Sequence, residues 1–295
     1  MRANSKILAE RSARLAARLS ACDICPRLCR VDRRRGPLGA CRTGAKARVA
    51  SYGPHFGEES PLVGFNGSGT VFFSYCSLSC VFCQNYGISH LGEGEDVPAE
   101  KLAAVFLSLA AMGCHNLNLV TPTHVTPQIV EALALAAARG FSLPVVYNCG
   151  GFERVETLRD LDGIVDIYMP DVKFLDPDAA ARYCAAPDYP DAVRAAVREM
   201  SRQVGPLRVD RRGIAVRGLL VRHLVMPGGL SDSRRVIDFL ADEIGEDVYL
   251  NLMDQYRPCG RAADFPEIDR RTTADEWREA RDHALARGLR RLDRA

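Results

Sequence analysis

The chain has 295 residues, 47% of them hydrophobic and 26% charged, with a formal net charge of +2. That is enough for one large α/β domain with a small extension, and no apolar run approaches the length of a membrane span, so no membrane association is expected. The charge is uneven: residues 1–50 hold 13 Arg or Lys against 3 Asp or Glu, a net of +10, and the remainder holds 26 against 34, a net of −8.

Such an asymmetry reads as a basic N-terminal module on a mildly acidic body. The first twenty residues are Arg- and Ala-rich, like a transit peptide, but also fit a short amphipathic helix with Leu8, Leu15 and Leu19 inward. Residues 21–44 form a Cys-rich knot, and 51–69 read as loop from Gly53, Pro54, Gly57, Pro61, Gly64, Gly67 and Gly69. Alternation follows. Val71–Tyr75 reads as a buried strand, 99–112 as a helix, 116–120 as a strand, 127–139 as a helix and 144–148 as a strand. A short helix over 153–161 and a strand over 163–169 come next, then a helix over 192–203 and a strand within 214–226. A helix over 231–244, a strand over 248–253 and a helix over 273–287 complete the pattern. About six β/α units are too few to close an eight-stranded barrel. The expected fold is therefore α/β: a partial (β/α)6 TIM-like barrel with a small N-terminal Cys-rich metal-binding extension. The expected division is 1–50 for the helix and cysteine module, 51–66 for a linker and 67–295 for the core. Chemistry in such folds collects at the C-terminal ends of the strands.

Eleven cysteines in a chain without a secretory signal point to a reducing, cytoplasmic compartment and to metal or cluster ligation rather than disulfides. Cys76-Ser-Leu-Ser-Cys80-Val-Phe-Cys83 has the form C-x3-C-x-Φ-C, with Phe82 as the aromatic. Three thiolates on one tight loop can hold three irons of a 4Fe-4S cube and leave the fourth without a protein ligand. An open coordination site lets a metal centre bind a reactant directly. The amino and carboxylate groups of S-adenosylmethionine (SAM) can chelate that iron. The competing structural explanation is a zinc knuckle or three core cysteines, but no fourth Cys or His follows Cys83 at knuckle spacing.

At these residues the chain resembles the radical SAM superfamily. Within it, the chain is similar to the pyruvate formate-lyase activating enzyme-like branch whose members carry an extra N-terminal cysteine module. Supporting stretches are Cys83-Gln84-Asn85, Asn148-Cys149-Gly150-Gly151-Phe152, Met169-Pro170-Asp171-Val172-Lys173 and Arg222-His223-Leu224-Val225-Met226-Pro227-Gly228. The resemblance implies Cys76, Cys80 and Cys83 as the catalytic cluster ligands, with Phe82 and Gln84 beside the bound SAM. It also implies an electron donor such as flavodoxin or ferredoxin, and a protein or peptide substrate activated as a glycyl radical. The superfamily's Gly-Gly-Glu-like motif after the second strand is replaced here by Thr121-Pro122-Thr123-His124. Thr121 and His124 are the candidate acceptors for the SAM amino group, unless the stretch merely ends a strand and starts a helix. Asp171 and Lys173 alternate at a strand end, so both can face the barrel mouth, where the resemblance places them on SAM and substrate. The alternative is a surface ion pair worth little. Asn148 is a similar strand-end candidate. Arg222 and His223 point to opposite faces, and Arg222 is the one assigned to the pocket.

Cys22-x2-Cys25-x3-Cys29-x11-Cys41 offers four thiolates in twenty residues, a set that suits zinc or an auxiliary 4Fe-4S cluster. Arg27, Arg30, Arg33, Arg34 and Arg35 surround it as a solvated basic face or a site for an acidic partner. Nucleic acid is the less expected partner of the same surface, since no aromatics interleave the arginines to make a stacking platform for single strands. Cys114, Cys149, Cys184 and Cys259 read as structural, with Cys149 alone placed to touch the pocket. The competing function is a non-catalytic iron-sulfur or zinc sensor that binds nucleic acid through the Arg-rich module.

Overall fold

The structure, a computed structural model, describes residues 4–293. Helix α1 (Ser5–Ala17) opens with the Asn4 side chain accepting from the Ile7 N–H at 3.0 Å, which satisfies a first-turn donor. It buries Leu8 and Leu15, and Leu19 is buried in the 3-10 turn that follows, so the inward set is the one the sequence suggests. Strand β1 (Ala47–His55), helix α2 (Ser60–Val63) and strand β2 (Ser68–Phe73) come next, then helix α3 (Tyr86–Ser89) and strand β3 (Glu95–Val97). The regular alternation is α4 (Ala99–Ala111), β4 (Leu117–Val120), α5 (Thr126–Ala137), β5 (Val145–Cys149), α6 (Val155–Asp160) and β6 (Ile167–Pro170). Helices α7 (Pro177–Cys184) and α8 (Tyr189–Val204) follow in series, then β7 (Arg208–Val209), β8 (Ala215–Leu224), α9 (Ser233–Phe239), β9 (Tyr249–Met253) and α10 (Ala274–Ala286).

Strands β2, β4, β5, β6, β8 and β9 pair in parallel in that order. β1 lies antiparallel to β2 and β3, and β7 antiparallel to β8. The sheet is not closed, so this is an open partial barrel. Strands buried on both faces need apolar residues in and out. The outward set, including Val71, Leu119, Tyr147, Tyr168 and Val221, packs in the main core with the helices. The inner face has its own apolar floor of Leu62, Val146, Ile167, Met169, Leu207, Ala215 and Leu220. Two residues further along three of these strands, the same face turns polar with Asn148, Asp171 and Arg222.

Residues 51–66 are not a linker. β1 runs through Gly53 and Pro54, and α2 contributes Leu62 to the floor. Pro54 is tolerated because β3 covers β1 only along Ala47–Val49, which leaves an open edge at the proline. Pro61 sits in the first turn of α2, where its missing N–H costs nothing. Just before α2, Glu59 accepts from the Asn251 amide at 3.0 Å, so this segment bridges from the β1–β2 side to β9 across the open barrel. Among the described residues, no helix is long and apolar enough to cross a membrane.

Candidate active site

The cysteine loop leaves β2 through Tyr75, whose φ of 66° is left-handed. Seven non-glycine described residues have positive φ, and five of them adjoin a cysteine: Leu28, Arg30, Arg42, Tyr75 and Ala185. Such backbone is costly and persists where surrounding structure demands it, often at functional sites. The loop is pinned to the end of α7, where the Ser79 N–H donates to the Cys184 carbonyl at 3.2 Å and the Val81 N–H to the Tyr183 carbonyl at 2.9 Å. Cys76, Cys80 and Cys83 are drawn together. Burial and the neighbouring Cys80 and Cys83 thiols push Cys76 up to about 12. Burial and Cys80 push Cys83 up as well. The Lys173 ammonium acts on all three in the opposite sense. Cys76 Sγ accepts from the Leu78 N–H at 3.3 Å, and Cys83 Sγ accepts from Ser89 Oγ at 3.1 Å. Three thiols on one loop, two already receiving hydrogen bonds, fit the thiolate set of an iron-sulfur cluster, whose binding would displace their protons.

The mouth above the floor is an ion network. Arg222 donates from Nε to Asp171 Oδ1 and from Nη2 to Asn148 Oδ1, each at 2.7 Å, while Lys173 Nζ donates to Asp171 Oδ2 at 2.6 Å. Burial alone would raise the Asp171 carboxyl, but the Arg222 and Lys173 charges outweigh it and hold it down at about 2. Asp171 and Lys173 are 16% and 18% exposed, so this is no surface pair. Tyr189 accepts from the Lys173 N–H at 3.0 Å and its hydroxyl lies 2.9 Å from both the Gly150 and Asp171 carbonyls. Gly151, at φ +77°, packs so closely that a Cβ there would sit 2.4 Å from the Asp171 carbonyl oxygen. Leu78 of the cysteine loop is the nearest neighbour of Gly150 after which comes Lys173, so the loop and this mouth abut. Arg222 Nη1 also lies 3.9 Å from Glu59 Oε1, and Glu59 Oε2 is buried without a hydrogen-bond partner. An incoming donor would satisfy that oxygen.

The N-terminal knot folds onto this region. Cys22, Cys25, Cys29 and Cys41 line one small cavity together with Ile24, Val31 and His124. Burial, then the Cys41, Cys22 and Cys29 thiols, push the Cys25 thiol up. Gly39 is required by proximity, since a Cβ there would sit 2.9 Å from Cys29 Sγ. Two of the arginines are not a solvated face. Arg33 is 4% exposed and donates to the carbonyls of Thr43, Gly44 and His124. Arg27 donates to the carbonyls of Ser77 and Ala185, and its guanidinium lies 5.2 Å from the Phe152 ring centroid. Arg30, Arg34 and Arg35 are exposed.

The remaining candidates are spread out. Thr121 directly follows β4 at φ 60°, its N–H donating to the Asn148 carbonyl at 2.9 Å. His124 is turned to the N-terminal cavity, with Nε2 on the Ser74 carbonyl at 2.8 Å, which sets it apart from the Asn148–Asp171–Arg222 network. Phe82 packs edge-on against Phe174 and Tyr256, and Gln84 is exposed. Cys149 shares the outward face of β5 with Tyr147 and is packed into the outer core, since successive residues alternate and Asn148 takes the inner face. Cys184 has its sulfur 3.2 Å from Cys80 Sγ. Sequence reasoning missed Glu59 and Tyr189, and it read Cys184 as structural without its place beside Cys80. It also missed Glu153, a buried carboxyl that accepts from Thr123 and, at 3.1 Å, from Tyr147. Glu153 directly follows the Asn148-Cys149-Gly150-Gly151-Phe152 stretch, and that position was its available signal.

Residues 70–211 match the family model of the Radical SAM superfamily and carry a domain of that kind. Such a domain implies a 4Fe-4S cluster and SAM. An uncharacterized protein of Methanocaldococcus jannaschii is 29% identical over 268 residues, covering 88% of this chain and 72% of that protein. A radical SAM methyltransferase from Sphaerobacter thermophilus has a similar structure, with TM-score 0.53 at 15% identity over 77% of this chain and 67% of its own. The FeFe-hydrogenase maturase HydG from Carboxydothermus hydrogenoformans gives a TM-score of 0.52 at 11% identity over 74% of this chain. This chain spans 50% of that maturase's length. At these identities the structural likeness is one of fold.

Proposed function

We propose that this chain is a radical SAM enzyme that reductively cleaves SAM and abstracts hydrogen from a protein or peptide partner, as glycyl radical activating enzymes do. The observation that carries the reading is the cysteine trio on one strained loop, set against the Asn148–Asp171–Lys173–Arg222 mouth. Cys76, Cys80 and Cys83 would hold the cluster by three irons. When bound, the reduced cluster and SAM supply a 5′-deoxyadenosyl radical. Asp171 and Lys173 present opposite charges suited to the zwitterionic methionine end of SAM, and Arg222 keeps Asp171 ionised. Gly150 and Gly151 leave room for close backbone approach beside them. The apolar floor below excludes water from the inner face. A flavodoxin or ferredoxin is the fitting one-electron donor, and the N-terminal quartet is a second metal centre, zinc or an auxiliary cluster. The test is anaerobic reconstitution with iron and sulfide, reduction with dithionite and chromatography for 5′-deoxyadenosine. If no 5′-deoxyadenosine forms from SAM at a loaded, reduced cluster, the reading fails.

A further inference from the structure

We infer that Cys22, Cys25, Cys29 and Cys41 hold a second iron-sulfur cluster that delivers electrons to the cluster at Cys76, Cys80 and Cys83. This deepens the radical SAM reading and rests on it.

The first ground is convergence. Four cysteines line one cavity walled by Ile24, Leu28 and Val31, and three of the seven strained non-glycine residues flank Cys29 and Cys41. His124 lines the same cavity. It is 1% exposed, and with Nε2–H donating to Ser74, its buried Nδ1 has no partner. A zinc ion needs sulfurs at about 2.3 Å from one point. A four-iron cube spreads its thiolates over separate corners and needs the space between them.

The second ground is contact with the other cysteine loop, made three ways. Arg27, two residues past Cys25, donates from Nε to the carbonyl of Ser77, the residue after Cys76, at 2.9 Å. The His124 ring reaches from the quartet's cavity to the carbonyl of Ser74, two residues before Cys76, at 2.8 Å. Cys41 and Cys76 themselves line one small pocket with Tyr75, Leu78 and Ser89. A zinc site that merely braced the N-terminus would have no need of this seat. A redox centre would, because electron transfer favours short, continuously packed paths.

The third ground is charge. Arg30, Arg34 and Arg35 are exposed around the quartet, on the segment of net +10. Acidic one-electron donors are steered to such a surface. The step balances simply: a reduced flavodoxin- or ferredoxin-type protein loses one electron, and the N-terminal cluster gains it. That cluster then passes it to the cluster of the trio and returns to its oxidised state. No bond or proton moves.

The test uses the full chain, reconstituted anaerobically, beside a Cys22→Ala/Cys25→Ala double variant. Wild type is expected to bind about eight irons and the double variant about four. Reduced wild type should show an electron paramagnetic resonance spectrum split or broadened by two interacting clusters, and the double variant the signal of one isolated cluster. The ratio of 5′-deoxyadenosine formation with reduced flavodoxin to that with dithionite should fall by about tenfold or more in the variant. Should the variant fail to fold, the wild-type iron count and spin interaction still decide. One zinc per chain with about four irons overturns the proposal. So does a full iron count with non-interacting signals or an unchanged donor ratio. Failure of SAM cleavage with dithionite in wild type would instead sink the radical SAM reading, while the iron count and spin interaction would still report on the second cluster.

Discussion

Arg222 Nε and Asp171 Oδ1 lie 2.7 Å apart, joining β8 to the strand end after β6 where the two strands meet again by a single bridge. Strands β6 and β8 share only Ile167–Gly218 and Tyr168–Leu219 as ladder partners, so the ion pair ties the two strands together beyond the point where their ladder stops. Among the described residues, Asp171→Ala removes the only carboxylate that Lys173 meets and the nearest one to Arg222. Breaking such a buried pair costs about 3 kcal/mol or more. The expected result is lower stability to urea and weaker SAM binding with iron content intact. Lys173→Ala leaves the Arg222 pair in place and should weaken SAM binding with a smaller stability loss. If both variants unfold and bind SAM as wild type does, the network has neither role. Because the folded carboxyl titrates near 2 and the unfolded one at 3.8, its stabilisation is full above the unfolded value and is lost as pH falls through the folded one.

The cysteine assignments separate by substitution. Cys76→Ala, Cys80→Ala and Cys83→Ala should each abolish the cluster whose spectrum responds to SAM. Cys184→Ala should keep it, although its sulfur lies 3.2 Å from that of Cys80. A fourth ligand to the cube would sit at another corner rather than against an existing thiolate. Loss of iron in Cys184→Ala would make Cys184 a ligand and close the open site. Full SAM response in any of the three ligand variants would contradict the trio.

Much of the barrel was legible because its signals are local. Helices α4, α5, α8 and α10 and strands β4, β5 and β9 lie within a few residues of the periodicity that announces them. β1 was not legible, because glycine and proline signal loop locally while an open strand edge tolerates them, and that edge exists only in the assembled sheet. Helix α7 was missed because a short helix with one buried stripe resembles a connection. At the site, Asp171 and Arg222 could be chosen by strand alternation, but their pairing with Asn148 needs three strands in register. Arg27 and Arg33 looked like solvated charge, since nothing in a sequence shows the backbone carbonyls that receive them. His124 was drawn to SAM by its place after β4, whereas its ring serves the cysteine knot, which arrives from 91 residues earlier in the chain through Arg33.

Two buried groups should tilt the pH dependence of stability in opposite directions. His223 is fully buried, with Nδ1 2.7 Å from the Val172 carbonyl and Nε2 2.8 Å from Ser233 Oγ. Burial pushes it down from 6.5 to about 4, so it stays neutral when folded. Its contribution is full above pH 6.5 and is lost as pH falls toward 4, because the unfolded chain takes up the proton first. Glu153 is the reverse case. Burial pushes its carboxyl up from 4.5 to about 7, although Thr123 and Tyr147 donate to it. Its contribution is full below pH 4.5 and is lost as pH rises toward 7, because the unfolded chain releases the proton first. Each burial effect is worth on the order of 3 kcal/mol between the two protonation states. Between pH 4.5 and 6.5 the two slopes oppose each other. Glu153→Gln should therefore gain stability with rising pH more steeply than wild type, and His223→Gln should gain less or lose. Urea unfolding of the three proteins at matched pH reads these slopes, and cluster loss common to all of them cancels in the differences. Parallel profiles for all three would show that neither group keeps its proton state through burial in the folded chain.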